Sequence, residues 1–228
     1  MELKKAFILC AGLGKRVMPL TKDNPKPLLQ INNMNLVEYS LKLADSLAIK
    51  SIAINSHYLK ESIHSFFEEK YPNVKIFYES ELLDTGGCLV NAKSFFESEY
   101  LLVLNSDTIW QSDYLPSVKK LYNNIIENNF SAGLLLCEKN NSFDQSLSAD
   151  FNIKDNLLNK DKKFIYTGLQ IIHSNIFQNL KLESFSIRDV WNKLILDKKI
   201  TGEVYEGKFY HATNLEIFQK LQQEKITY

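Results

Sequence analysis

With 228 residues, 27 Lys and Arg against 27 Asp and Glu, and three cysteines, the chain has room for one domain with a substantial core. The charge balance disfavours a nucleic-acid or anionic-membrane partner. Cys10, Cys88 and Cys137 are widely spaced in mostly apolar runs, with neither metal spacing nor a disulfide framework, the pattern of reduced cytoplasmic thiols. The N-terminal apolar run is too short for a signal peptide or a membrane span.

Ala6, Phe7, Ile8, Leu9 and Cys10 read as a buried first strand. Helical spacing runs over residues 36–48, a strand over 51–55, a second helix over 58–70 and a third strand over 74–78. Residues 85–96 predict a helix, 100–104 a fourth strand, 113–127 a helix and 131–137 a fifth strand. Strands alternating with helices argue for a mostly parallel sheet covered on both faces. From Glu138 the rhythm changes: Asn140-Asn141-Ser142 and Lys160-Asp161-Lys162-Lys163 are polar and turn-like, with short strands between them. Residues 164–172 read as a strand and 187–197 as a helix with Ser186 as N-cap. Residues 201–206 and 209–211 look like a hairpin about Gly207, and 214–223 like a closing helix.

The densest chemistry follows the first strand. Ala11-Gly12-Leu13-Gly14-Lys15-Arg16 leads through Pro19-Leu20-Thr21 to Pro25-Lys26-Pro27-Leu28. Backbone N–H groups freed by two glycines, with cations beside them, make a cradle for a polyanion such as a nucleoside triphosphate. It is not a Walker A loop, which would need glycine where Leu9 stands and Ser or Thr where Arg16 stands. Nor is it the dinucleotide fingerprint, whose third glycine falls on Val17.

These residues resemble the signature of sugar-1-phosphate nucleotidyltransferases: Ala-Ala-Gly-x-Gly-x-Arg, then Pro-Leu-Thr, then Pro-Lys-Pro. The resemblance covers nearly the whole chain and is strongest over residues 6–28 and 79–107. It implies an α/β fold: a doubly wound, mostly parallel mixed sheet, Rossmann-like, with a small β subdomain over the sugar site. Residues 1–228 would be one domain, with 1–137 as nucleotide-binding core and 138–228 as sugar-binding part and returning elements. It further implies in-line attack by a sugar 1-phosphate on the α-phosphorus of a nucleoside triphosphate, releasing pyrophosphate. By the same resemblance, a bare catalytic domain is expected, without the C-terminal β-helix or acyltransferase domain of some relatives.

The same resemblance assigns residues. Ala11, Gly12, Gly14 and Lys15 would hold the nucleotide, Arg16 would face the β- and γ-phosphates, and Lys26, restrained by Pro25 and Pro27, would bridge the reacting phosphates. Glu79, Gly86 and Gly87, in a stretch like the family's Glu-x-x-x-Leu-Gly-Thr-Gly/Ala-Gly, would border base and ribose. Asn55 would lie near the nucleotide, and Asn105 and Asp107, in a segment like Asn-Gly-Asp, would carry a nucleotide contact and the metal ligand. Thr167 and Gly168 would line the sugar pocket. The cofactor implied is Mg²⁺, with Mn²⁺ as the alternative. His211 falls where relatives carry a second metal-binding Asp. Three roles stay open: Asp107 alone holds the ion with phosphates and water, His211 takes a softer ion, or His211 touches phosphate. The expected partners are a nucleoside triphosphate and a sugar 1-phosphate, in a cytoplasmic monomer or homodimer. UTP with N-acetylmuramate 1-phosphate is the first expectation. A guanylyl- or cytidylyltransferase for mannose or heptose 1-phosphate or phosphocholine is the second. A nucleotide-sugar binding protein that has lost turnover is the third, motivated by His211.

Overall fold

The computed structural model describes residues 3–96 and 99–226. Its centre is an eight-stranded sheet built from β1 (Lys5–Leu9), β4 (Ser51–Ser56), β5 (Lys75–Tyr78), β6 (Tyr100–Asn105), β7 (Ala132–Cys137), β8 (Phe151–Lys154), β9 (Leu157–His173) and β10 (Ile200–Tyr205). The order is β10-β7-β9-β6-β1-β4-β5, with β8 paired to β9. β2 (Gln30–Ile31) and β3 (Met34–Asn35) form a separate two-residue ladder. β1 lies parallel to β4 and β6, and β4 parallel to β5, as the alternation with helices requires. β9 is the exception, running antiparallel between β6 and β7.

Strand alternation sorts the core into two layers. Leu102 and Leu104 of β6 face one layer, and Leu101 and Val103 the other. The first layer is covered by α1 (Leu36–Ser46), α2 (Lys60–Lys70), α4 (Tyr114–Glu127) and α6 (Leu215–Leu221). The second is covered by α3 (Asp84–Asn91) and α5 (Ile187–Leu196). Trp110 and Trp191 are both core residues, at 0% and 1% exposure, as aromatic bulk favours. No helix among the described residues is long and apolar enough to cross a membrane.

Three expectations change. Residues 201–206 and 209–211 are not a hairpin. β10 pairs parallel to β7 after the α5 crossover, and the chain beyond Gly207 crosses to form bridges Ser142–Phe209 and Thr108–His211. The helix expected over 85–96 ends at Asn91, because Phe95 and Phe96 turn in to pack on Phe77 and Phe7. The polar run 160–163 lies inside β9, looped out where Phe151 pairs with Phe164 but Asn152 with Asn159. The turn is instead Asp155-Asn156, with φ of 52° and 62°, which tolerate left-handed backbone and join β8 to β9 in a two-residue hairpin. Asn32-Asn33 does the same between β2 and β3 (φ 51° and 60°). Neither pair contains glycine, so neither stood out in the sequence. The β8–β9 hairpin is the small β unit, anchored on β10 through Thr201 Oγ1 donating to the Asn156 carbonyl at 2.8 Å.

Candidate active site

Because β1, β4 and β6 are parallel, their carboxyl ends deliver Cys10, Asn55 and Asn105 to one edge of the sheet, where open α/β sheets bind ligands. A cleft of about 570 Å³ opens there. It is lined by the loop from Ala11 to Val17, Lys26, Asn55, Glu79, Asp84, Thr85 and the Asn105-Ser106-Asp107 segment. The sequence motifs, up to 96 positions apart, thus converge on one cleft.

The glycine loop is held from behind. Gly14 is left-handed (φ +64°), its carbonyl accepts from Thr21 Oγ1 at 2.9 Å, and a Cβ there would lie 2.8 Å from Thr21. Arg16 and Lys15 stand exposed on the one-turn 3₁₀ helix Lys15–Val17, pinned by fully buried Val17. Gly12 faces open space, with no atom within 4 Å of the point a Cβ would occupy.

Lys26 opens a second 3₁₀ turn, Lys26–Leu28, with Pro27 inside it. Asn35 Nδ2 ties the turn to α1 by donating to the Leu28 carbonyl at 2.6 Å. Lys26 is only 9% exposed, and its Nζ meets Asp107 Oδ2 at 2.5 Å. Burial opposes ionisation of Asp107, but His211, Lys26 and Arg16 around it hold the carboxyl well below its usual range. Ser106, where relatives carry glycine, is accommodated because its hydroxyl donates to the Leu9 carbonyl at 2.6 Å.

His211 is brought to this pair by a bridge to Thr108 and by the Ala212 N–H donating to the Asp107 carbonyl at 2.9 Å. Its Nδ1 lies 3.5 Å from Asp107 Oδ1 and 3.2 Å from Thr108 Oγ1. Thr108 spends its one proton on the Thr167 carbonyl at 3.0 Å, so its oxygen accepts, which places the His211 proton on Nδ1. Burial, helped by Lys26 and Arg16, lowers the imidazole's pKa from its ordinary value against the opposing pull of Asp107. Unfolded protein therefore binds the extra proton below the ordinary histidine range, and stability falls as pH drops through that window. His173, lowered by burial, acts in the same sense, while Glu79, raised by burial, acts oppositely. The Tm difference between pH 7 and pH 5 is expected to shrink in His211→Gln, and an unchanged difference would remove His211 from the linkage.

The donor set suits a hard ion only in a limited way. Asp107 offers one carboxylate, and among the described residues no group of three or more His, Cys, Asp or Glu could hold a metal ion by itself. That fits Mg²⁺ shared with substrate phosphates and water.

Other expected residues have inward duties. Asn55 is 4% exposed, accepting from the Cys10 N–H at 2.6 Å and donating to Glu79 Oε1 at 2.7 Å. Glu79, 1% exposed, also accepts from the Leu83 N–H at 2.9 Å, so the pair braces the cleft floor. Thr167 is buried with its hydroxyl on the Leu135 carbonyl at 2.9 Å, and does not line the cleft. Gly168 (φ +93°) leaves room for Asn105, whose side chain would lie 2.9 Å from a Cβ there.

Gly86 and Gly87 do not open toward the cleft either. Their N–H groups donate to the Phe185 carbonyl at 2.9 and 3.3 Å, and a Cβ on Gly87 would sit 2.2 Å from the Glu183 carbonyl oxygen. They admit the segment before α5, which places Ser184 on the cleft wall. Gly87→Ala is expected to cost about 2–3 kcal/mol through overpacking against backbone, lowering Tm by roughly 5–10 °C. Gly12→Ala, facing open space, should leave Tm unchanged; equal melting of the two variants would refute this packing. The residues at the candidate site that the motif reading does not contain are Thr108, which meets His211, and Ser184, on the cleft wall, both brought there by long-range pairing with no local signal.

The family profile described as nucleotidyl transferase matches residues 5–135. The chain is 30% identical to D-glycero-alpha-D-manno-heptose 1-phosphate guanylyltransferase of Campylobacter jejuni, over 90% of this chain and 92% of that protein. It is 25% identical to N-acetylmuramate alpha-1-phosphate uridylyltransferase of Caulobacter vibrioides, over 92% and 91%. It is 27% identical to the bifunctional protein GlmU of Methanocaldococcus jannaschii over 89% of this chain, which spans about half (49%) of that protein. A crystal structure of UDP-glucose pyrophosphorylase complexed with UDP-glucose superposes with a TM-score of 0.77 at 18% identity, covering 97% of this chain and 98% of that one, a likeness of fold. Motif, cleft and relatives agree: the chain belongs to the nucleotidyl transferase family, as a sugar-1-phosphate nucleotidyltransferase.

Proposed function

We propose that the protein makes a nucleotide sugar for cell-wall or surface-glycan metabolism in the cytoplasm, with UTP and N-acetylmuramate 1-phosphate as its substrates. The observation that carries the reaction is the nearly buried Lys26–Asp107 pair at the end of β6, facing the glycine loop. The acceptor phosphate, with a second pKa of about 6, is largely ionised at neutral pH and needs no general base. Its oxygen forms the new bond to the α-phosphorus, and the bond to the β-phosphate oxygen breaks, with pyrophosphate taking the electron pair. Lys26 leaves Asp107 for the reacting phosphates and offsets their charge, while the N–H groups about Gly12 and Gly14, with Lys15 and Arg16, hold the rest of the triphosphate. Asp107, with the substrate phosphates, would hold Mg²⁺, which would supply Lewis-acid charge compensation when bound. Residues 1–137 serve the nucleotide and 138–228 the sugar.

The choice of UTP rests on the relative from Caulobacter. Guanylyl transfer to a heptose 1-phosphate is the second reading, favoured by the higher identity, 30% against 25%, to the Campylobacter enzyme. A pyrophosphate-release matrix tests both: UTP, GTP, CTP, ATP and dTTP against N-acetylmuramate, heptose, mannose, glucose and N-acetylglucosamine 1-phosphates, with phosphocholine, in Mg²⁺ and then Mn²⁺. The UTP–muramate pair is expected to lead by kcat/KM. Silence across the matrix in folded protein that still binds nucleotide would leave a binding protein instead.

A further inference from the structure

Of the 27 Lys and Arg residues, only two are arginine, Arg16 and Arg188. In a chain that otherwise uses lysine for positive charge, arginine marks places needing a planar, multi-donor cation. Arg16 is in the phosphate loop. Arg188 is in the first turn of α5, and none of the functions above uses it.

Its setting is built. Arg188 Nη2 donates to Asp150 Oδ1 at 2.6 Å, and the guanidinium carbon lies 5.6 Å from the Phe151 ring and 5.9 Å from the Trp191 ring. Asp150 is fixed in turn, its Oδ2 accepting from the Tyr166 N–H at 3.0 Å. The Arg188 side chain is still 52% exposed. One of its five N–H donors is spent on Asp150, and the geometry of that bond orients the others.

The position relative to the cleft follows from the sheet. Gly168 abuts Asn105, a cleft residue, and Tyr166 is two residues along β9 on the same face, its ring 4.9 Å from Trp191. From the other side, Ser184 lines the cleft and the same segment runs into Arg188, whose N–H donates to Ser186 Oγ. Gly168 adds no side chain next to Asn105, and Asp150, bonded to the Tyr166 N–H two residues along, holds Arg188 beside that stretch of β9.

We propose that Arg188, held by Asp150 beside the rings of Phe151 and Trp191, is the residue that reads the sugar of the acceptor, donating to the hydroxyl oxygens of its ring. This rests on the transferase reading above. The class of ligand follows from the chemistry: a planar donor beside a carboxylate and a phenol ring suits a polyhydroxylated ring with one apolar face. A lysine could not satisfy Asp150 and the substrate together in fixed directions.

The test uses the best nucleotide–sugar pair from the pyrophosphate matrix, with the wild type, Arg188→Lys and Arg188→Ala. Both variants are expected to raise KM for the sugar 1-phosphate by about tenfold or more and to leave KM for the triphosphate within about twofold. The spread of kcat/KM across the sugar panel should narrow in Arg188→Ala, which a merely structural arginine would not cause. Arg188→Lys, keeping charge and bulk, covers the case in which alanine fails to fold. Sugar KM unchanged in both variants, or a rise shared equally by the triphosphate, overturns the assignment while the transferase reading stands. A wild type inactive with every pair overturns both.

Discussion

Replacing Lys26 by alanine is expected to lower kcat by about a hundred- to a thousandfold, the scale for removing one preorganised charge from a water-poor site. The side chain has no substitute in the cleft: Arg16 and Lys15 stand on the exposed rim, whereas Lys26 is nearly buried against Asp107. The variant should also lose stability, by about 1–3 kcal/mol, because Asp107 stays partly buried without its closest cation. Pyrophosphate release at saturating substrate measures the first effect and thermal denaturation the second. Wild-type turnover in folded Lys26→Ala would take Lys26 out of the chemistry.

Asp107→Asn is expected to be as damaging to kcat, by about a hundredfold or more, since the shape stays but the charge that positions Lys26 and would hold the proposed ion is lost. The two substitutions should not be additive in stability. Each alone leaves one partly buried charge without its closest partner, whereas Lys26→Met combined with Asp107→Leu removes both charges and restores most of the lost Tm. Activity stays absent in the double variant. If the stability losses simply sum, the pair is a surface ion pair in all but appearance, and its role in setting the site falls with it.

What could be read from the chain without its fold was whatever depends on neighbours in sequence. The alternation of apolar runs, the Gly-x-Gly-x-Arg loop and the Pro-Lys-Pro turn each have local causes: strand burial, left-handed backbone at Gly14, restricted freedom either side of Lys26. They carry the fold class and the loop that lines the cleft. Ser186 as N-cap was legible for the same reason, its side chain accepting from the Arg188 N–H at 3.3 Å.

Tertiary structure alone decided what depends on which distant segments meet. Gly86 and Gly87 looked like nucleotide contacts, but a segment about a hundred residues later occupies their N–H groups. Residues 209–211 looked like half a hairpin, but a strand pairs with whatever edge lies beside it, and β10 found β7 while His211 found Thr108. The lowered pKa values of His211 and Asp107 are properties of burial and neighbouring charge, which no residue carries in its own identity. Local sequence determined the elements and the glycine loop; long-range packing determined which side chains face the cleft, because a hydrogen bond spent inside the protein is no longer available to a ligand.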